Sequence, residues 1–484
     1  MNKNILYIHP YCNRDNSDFL FLPAGIVGVI NNLRKKGFNV TGLNLPLEMK
    51  LNPNINIREA IEEIDFQIVI MDCHWYYFLY GVQEVARLCK EINPGCFVIV
   101  GGFSANFFRK NLLQSTDKID IIVRGDSETT IINICSELLL KGKKAIKKLP
   151  NLTYENMFWQ AKDTNITSFD NDINKFDYVD LSFMKNWQEY LAFKQGEGAP
   201  GIGQIRDLKN FYYLPTQKGC LNSCPSCGGS KFSYEILANK RKACIRSPQN
   251  IIDDLKRLEQ LDVKKIMVSC ESKLNDWGRI LGYINITNTT FNLVFEDWQL
   301  PNKETAKEMC KYGANTDSGF IVSVLTGNEI LRFKNGKKYK NEEVIDFAKQ
   351  ISESGTSYVA FWFSPNLVGG TKKDFKETIR FAKKLVELNR LATKPNIQVM
   401  MSSMEVDITS LVYSNPKKLK FSGKVWDYEY IIKMLKFREE GKKLGNMSYC
   451  SEEISIEEGN NMCEEFNKEI SELKKEIYEF RKNM

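Results

Sequence analysis

Short apolar runs and amphipathic stretches alternate from the fourth residue onward. Ile5–His9 reads as a strand, and Ala24–Lys36 repeats its apolar residues at helical spacing before Gly37, a residue suited to end a helix. Val40–Leu45 and Phe66–Met71 predict two further strands, and Val82–Ile92 predicts a helix closed by Pro94-Gly95. Phe97–Val100 runs into Gly101-Gly102, and Ile119–Val123 is a fifth strand before a helix from about Ser127. Strands that alternate with helices imply a doubly wound parallel sheet over residues 1–150. Ligands of such sheets bind beyond the carboxyl ends of the strands. That rule singles out His9-Pro10, Asp72–Tyr77, Gly101–Ser104 and Arg124–Thr130.

The alternation pauses over residues 151–210, a stretch rich in Asn, Asp and Gly that reads as a linker. Within it, Gly196–Gly201 (GEGAPG) matches G-x-G-x-x-G literally. It contains Pro200, follows no strand and opens no helix, so it is not read as a nucleotide-binding turn. From Phe211 the strand–helix rhythm returns: one strand ends near Ser269–Glu271 and one at Glu296, FIVSVLTGNEILRF gives a strand and a turn at Gly327-Asn328, SYVAFWFSPNLVGGTKKDF a strand with a loop around Gly369–Thr371, and NIQVMMSSMEVD a further strand. Counted with the strand at Phe211–Leu214, about six βα units are expected over 211–405. Residues 406–484 are expected to be mostly helical. The stripe Phe466, Ile470, Leu473, Ile477 and Phe480 fits a packed helix, with a dimeric coil as the alternative.

Composition narrows the class. The 484 residues carry 67 basic and 60 acidic side chains, a net charge of +7 without a basic block. Nucleic acid is therefore not indicated as a partner. No apolar run reaches the ~18–20 residues of a membrane helix, and the amino terminus shows no signal-peptide pattern. A cytoplasmic protein without a membrane association is expected. The 13 cysteines are then expected to be thiols or metal ligands rather than disulfides.

Three of those cysteines stand out in YLPTQKGCLNSCPSCGGSK: Cys220, Cys224 and Cys227, spaced Cys-x3-Cys-x2-Cys. Three thiolates can hold three irons of a [4Fe–4S] cubane and leave the fourth open. A zinc site would want a fourth ligand, and the chain has only two histidines, His9 and His74. A chance grouping is the remaining alternative. Gly228-Gly229 after the triad let the backbone pass close to a cluster, whereas Gly101-Gly102 and Gly125 have a bland reading as turn residues.

The triad, set between an apolar strand and a helix, resembles the radical S-adenosylmethionine (SAM) superfamily. The resemblance implies a partial (β/α)6 TIM barrel with its site at the carboxyl ends of the strands. It also implies that SAM chelates the open iron. It places Gly228, Gly229, Ser269, Glu271, Ser323 and Thr326 around SAM. Two departures are visible. Ser226 stands where an aromatic or large apolar residue commonly packs on adenine, which leaves Phe232 or Tyr234 to supply that contact. Leu325 stands where a glutamate is common.

Residues 1–145 resemble the cobalamin-binding, Rossmann-type domain that precedes many radical SAM domains. PAGIVGVINNLRKKGFNV and IVRGDSETT carry the likeness. The Asp-x-His-x-x-Gly signature of a cobalt-ligating histidine is absent. The resemblance places His74, Trp75, Tyr76, Gly101, Gly102, Gly125 and Glu128 around cobalamin, with His74 a possible cobalt ligand and Trp75 and Tyr76 a shield. It implies a cobalamin-dependent methylation of a small molecule, with an electron donor such as flavodoxin or ferredoxin as partner. The stretch DITSLVYSNPKKLKF (407–421) resembles segments of natural-product enzymes of this kind. A rearrangement or ring formation, and a cluster-carrying binding or electron-transfer protein, are the alternatives.

Overall fold

The computed structural model describes all residues except 1–2, 13–19, 157, 159, 166–170, 193–210, 287–290, 357, 393–395, 422–425, 441–448, 452 and 484. The literal G-x-G-x-x-G at 196–201 lies outside the described residues. Two compact units emerge: Met1–Phe211 with Tyr234–Arg241 and Trp426–Gly445, and Tyr212–Ser233 with Lys242–Val425 and Asn446–Met484.

The first unit is built on a seven-stranded sheet in the order β2-β1-β3-β4-β5-β6-β7. Its strands are β1 (Asn4–His9), β2 (Asn39–Asn44), β3 (Ile68–Asp72), β4 (Phe97–Gly101), β5 (Ile121–Val123), β6 (Leu152–Glu155) and β7 (Ala161–Asp163). β1 to β5 pair in parallel, as the alternation predicts. Every residue of β3 is buried, in keeping with the apolar run Ile68–Met71 expected of a strand covered on both faces. β6 and β7 add an antiparallel hairpin. That hairpin lies in the stretch read from sequence as a linker, so the sheet extends past residue 150. A buried ion pair, Lys240 Nζ to Asp126 Oδ2 at 2.8 Å, ties the segment at 234–241 into this unit.

The second unit holds a six-stranded sheet in the order β15-β14-β13-β12-β11-β8. Its strands are β8 (Phe211–Tyr213), β11 (Lys265–Cys270), β12 (Asn292–Asp297), β13 (Gly319–Leu325), β14 (Tyr358–Phe363) and β15 (Ile397–Met401). The order follows the chain, and β11 to β15 pair in parallel. Six strands match the expected count, and the sheet is open: among the described residues β8 and β15 are its two edges. A short antiparallel pair, β9 (Gln217–Lys218) with β10 (Cys244–Ile245), stands apart from it. Phe295 stacks on Phe320, and Trp277 and Phe347 meet them edge-on, so the aromatic side chains knit strands to helices.

The helix Ile456–Lys482 opens with a capping box between Ser455 and Glu458 and buries Met462, Phe466, Ile470 and Ile477. Phe466 packs on Phe363 at 5.9 Å. The apolar stripe therefore faces the second unit's own core. Burying a phenylalanine there contributes about 1.5–3 kcal/mol. Among the described residues no helix is long and apolar enough to cross a membrane. All thirteen cysteines are free, and eight of them are buried.

Candidate active site

β9 delivers the chain to the cysteine loop. Gly219, at φ 89, turns it sharply before Cys220, a backbone state that glycine enters without strain. Two backbone amides then aim at sulfur: Asn222 N–H donates to Cys220 Sγ at 3.3 Å, and Gly229 N–H to Cys227 Sγ at 3.3 Å. Burial pushes the Cys220 thiol up, and the Asn222 amide only partly offsets this. Deprotonation there wants a cation, and soft thiolate donors in a tight loop suit iron. Among the described residues no three His, Cys, Asp or Glu side chains could hold one metal ion between them. Ligands of a cubane go to three separate irons and need no such common point. Three cysteines in one tight loop are the donor set that a [4Fe–4S] cluster takes.

The stretch 407–412 clamps this loop. Gly228 N–H donates to Asp407 Oδ2 at 2.7 Å, Thr409 Oγ1 donates to the Gly228 carbonyl at 2.9 Å, and Val412 N–H reaches the Pro225 carbonyl at 2.9 Å. A Cβ at Gly228 would lie 2.6 Å from Thr409 Oγ1, so only glycine fits. Burial pushes the Asp407 carboxyl up to about 6. Read from sequence, this stretch opened the C-terminal helical region. In the structure it is hydrogen-bonded onto the cysteine loop.

The strand ends complete the geometry. Glu271 follows β11 directly and is buried; its N–H donates to Gln217 Oε1 at 2.9 Å, and its Oε1 accepts from Asn222 Nδ2. Ser269 Oγ accepts from Trp298 Nε1 at 2.8 Å. At β13 a bulge between Ser323 and Leu325 coincides with Leu325 at φ 69, a left-handed state rare for leucine. The Ser323 carbonyl accepts from Tyr339 Oη at 2.7 Å. Thr326 is buried, its hydroxyl 2.9 Å from that of Thr378, so its side chain is engaged with the helix Lys372–Glu387. Ser226 meets Met404, which clusters with Leu325, Leu331 and Leu367. Tyr234 lies in the first unit, edge-on to Phe103 at 5.0 Å.

In the first unit, the loops after β3 and β4 latch together at the carboxyl edge. Gly102, at φ 102, lets them meet: a Cβ there would sit 2.7 Å from the Cys73 carbonyl. Ser104 donates its N–H to the Cys73 carbonyl at 3.1 Å and its hydroxyl to that of His74 at 2.8 Å. His74 stacks on Phe103 at 5.0 Å and meets Trp75 edge-on at 4.8 Å. Burial pushes its imidazole down to about 4, against the opposing pull of Asp72, so the ring is neutral at pH 7. Tyr76 is buried, Gly101 ends β4, Gly125 takes φ 70, and the buried Glu128 gives its carbonyl to Asn32. His9 was not among the proposed ligands. It is fully buried, with Nδ1 2.9 Å from Asp72 Oδ1, while Nε2 has no partner among the described residues. A latched rim with an unsatisfied imidazole nitrogen fits a large ligand laid on this edge.

Residues 13–134 match the B12 binding domain family. The hopanoid C-3 methylase of Methylococcus capsulatus is 28% identical over 375 residues, 72% of this chain and 62% of the methylase. Over residues 13–134 the chain thus resembles B12-binding domains, and over most of its length it resembles a methylase. It spans less than two thirds of that methylase's length. Two solved structures share the fold. The radical SAM methyltransferase TsrM of Kitasatospora setae, with tryptophan and a SAM analogue bound, matches at TM-score 0.61 and 13% identity, over 85% of this chain and 75% of TsrM. The cobalamin-dependent SAM radical enzyme OxsB matches at TM-score 0.66 and 16% identity, over 95% of this chain and 66% of OxsB.

Sequence reasoning singled out the three cysteines and Glu271; in the structure the Asn222 side chain links Glu271 to Cys220. It missed Asn222, Asp407, Thr409 and Gly336, whose backbone lies against Cys224. For Asp407 and Thr409 a polar pair inside DITSLVY was the available signal; Gly336 carried none.

Proposed function

We propose that this chain is a cobalamin-dependent radical SAM methyltransferase acting on an unactivated carbon of a small molecule. The observation that carries this reading is the cysteine loop, with amides aimed at its sulfurs and Glu271 beside it, in a chain that also has a B12 binding domain. When bound, the cluster would supply an electron to SAM, and cobalamin would carry the methyl group.

Cys220, Cys224 and Cys227 would hold three irons. Glu271 would orient the amino group of SAM at the fourth. Asp407 and Thr409 keep Gly228 close to the loop. The latched loops at Cys73–Ser104 would seat the corrin, with the neutral His74 ring covered by Phe103. The protein's own contribution is placement and exclusion of water. An electron donor of the flavodoxin or ferredoxin class is the required partner, in a reducing cytoplasm.

The test is anaerobic reconstitution with iron, sulfide, hydroxocobalamin and SAM. Both 5′-deoxyadenosine and S-adenosylhomocysteine should form with substrate present, and the product should gain one methyl group. Metabolite comparison of a strain lacking the gene would supply the substrate. A product of unchanged carbon count would move the reading to rearrangement or ring formation. Absence of 5′-deoxyadenosine would leave a cluster-carrying protein.

A further inference from the structure

We propose that Asn222 is a positioning residue that joins the SAM-facing carboxylate of Glu271 to the cluster ligand Cys220. The inference rests on reading Cys220 as a cluster ligand and goes beyond it in naming what sets that ligand's environment.

Asn222 is 6% exposed and sits two residues after Cys220. Its main chain and its side chain do separate work. The backbone carbonyl accepts from Lys231 N–H at 2.8 Å, and the backbone N–H donates to Cys220 Sγ at 3.3 Å. Those bonds hold the loop and survive any change of side chain. The side-chain amide has two N–H bonds. Its nitrogen lies 3.7 Å from Cys220 Sγ and within bonding distance of Glu271 Oε1, so one group serves both the sulfur and the carboxylate. Glu271 is held from its other side by its own N–H on Gln217 Oε1.

Two consequences follow. Donation to a ligand sulfur stabilises the more negative, reduced state of a cluster and raises its midpoint potential. Donation to Oε1 holds the Glu271 carboxylate in one orientation. A single side chain would therefore set both how readily the cluster is reduced and how tightly SAM is held.

The experiment compares wild-type full-length protein with Asn222→Ala and Asn222→Asp, each reconstituted anaerobically. Aspartate keeps the shape but removes both donors and adds charge beside Glu271. Iron content should stay near wild type in both variants. The SAM dissociation constant by calorimetry should rise by about tenfold or more, the usual effect of losing a partner behind a ligating group. The cluster midpoint, read without SAM by electron paramagnetic resonance during reductive titration, should move to more negative potential, further in Asn222→Asp. Unchanged SAM affinity and midpoint in both variants would overturn the proposal while leaving the cluster reading intact. Loss of iron in both variants would overturn it too, making Asn222 a loop-holding residue. Wild-type protein that takes up no iron would overturn the cluster reading itself.

Discussion

The backbone of Gly336 lies directly against Cys224: a Cβ built at position 336 would stand 2.5 Å from Sγ of Cys224 and 2.9 Å from its Cα. Gly336 is also at φ 89, where a side chain is strained whatever the space. Gly336→Ala should therefore displace Cys224 rather than be absorbed. Reconstituted iron per chain should fall well below wild type, measured by iron assay and visible absorbance. Full iron loading with an unchanged spectrum would show that the loop yields without cost.

Cys220→Ala, Cys224→Ala and Cys227→Ala should each abolish formation of 5′-deoxyadenosine from SAM. Alanine at the eight buried cysteines elsewhere should leave SAM cleavage intact, since a buried thiol behaves as a small apolar residue. Near wild-type cleavage in any one triad variant would remove that residue from the ligand set.

Asp297, buried at the end of β12, has its carboxyl pushed up by desolvation from 3.8 to about 7, while the bonds from Ser272 oppose the shift. A carboxyl that binds its proton more tightly in the folded state favours folding below pH 4. That contribution drains away as the unfolded chain ionises, and it is gone above about pH 7. Asp297→Asn, which cannot ionise, should therefore gain stability relative to wild type as pH rises from 4 to 7. Denaturant melts at several pH values would read this. A constant difference across that range would place the titration elsewhere.

Hydroxocobalamin should co-elute with the protein on gel filtration. In the cob(II)alamin form, electron paramagnetic resonance should show no nitrogen splitting that depends on His74, because that ring is stacked on Phe103 and beside Trp75. A splitting lost in His74→Ala would make His74 the cobalt ligand. One that survives there and vanishes in His9→Ala would assign the ligand to the imidazole backed by Asp72, the arrangement metal-binding histidines favour.

Replacing Lys240 by methionine should leave Asp126 buried without its cation. Breaking such a pair costs about 3–5 kcal/mol. Both side chains are under 5% exposed, so solvent cannot repair the loss. Urea melts should show the drop, and a loss below about 1 kcal/mol, the scale of an exposed pair, would mean that water reaches Asp126.

The sequence by itself determined what depends on neighbours along the chain. The period of apolar residues marked β1 to β5 and the six strands from β8 to β15, because burial on both faces demands unbroken apolar runs. The triad was legible because its chemistry lies in residue type and local spacing. The tertiary structure alone decided the rest. The β6–β7 hairpin hides in a polar stretch because an edge needs little apolar surface. Asn222 meets Glu271 and Gly228 meets Asp407 across long chain separations, and Gly336 meets Cys224 likewise. The left-handed Leu325 and the engaged Thr326 follow from a bulge that no propensity marks. Such contacts are set by how strands and loops converge in space, and a one-dimensional pattern carries no trace of that convergence.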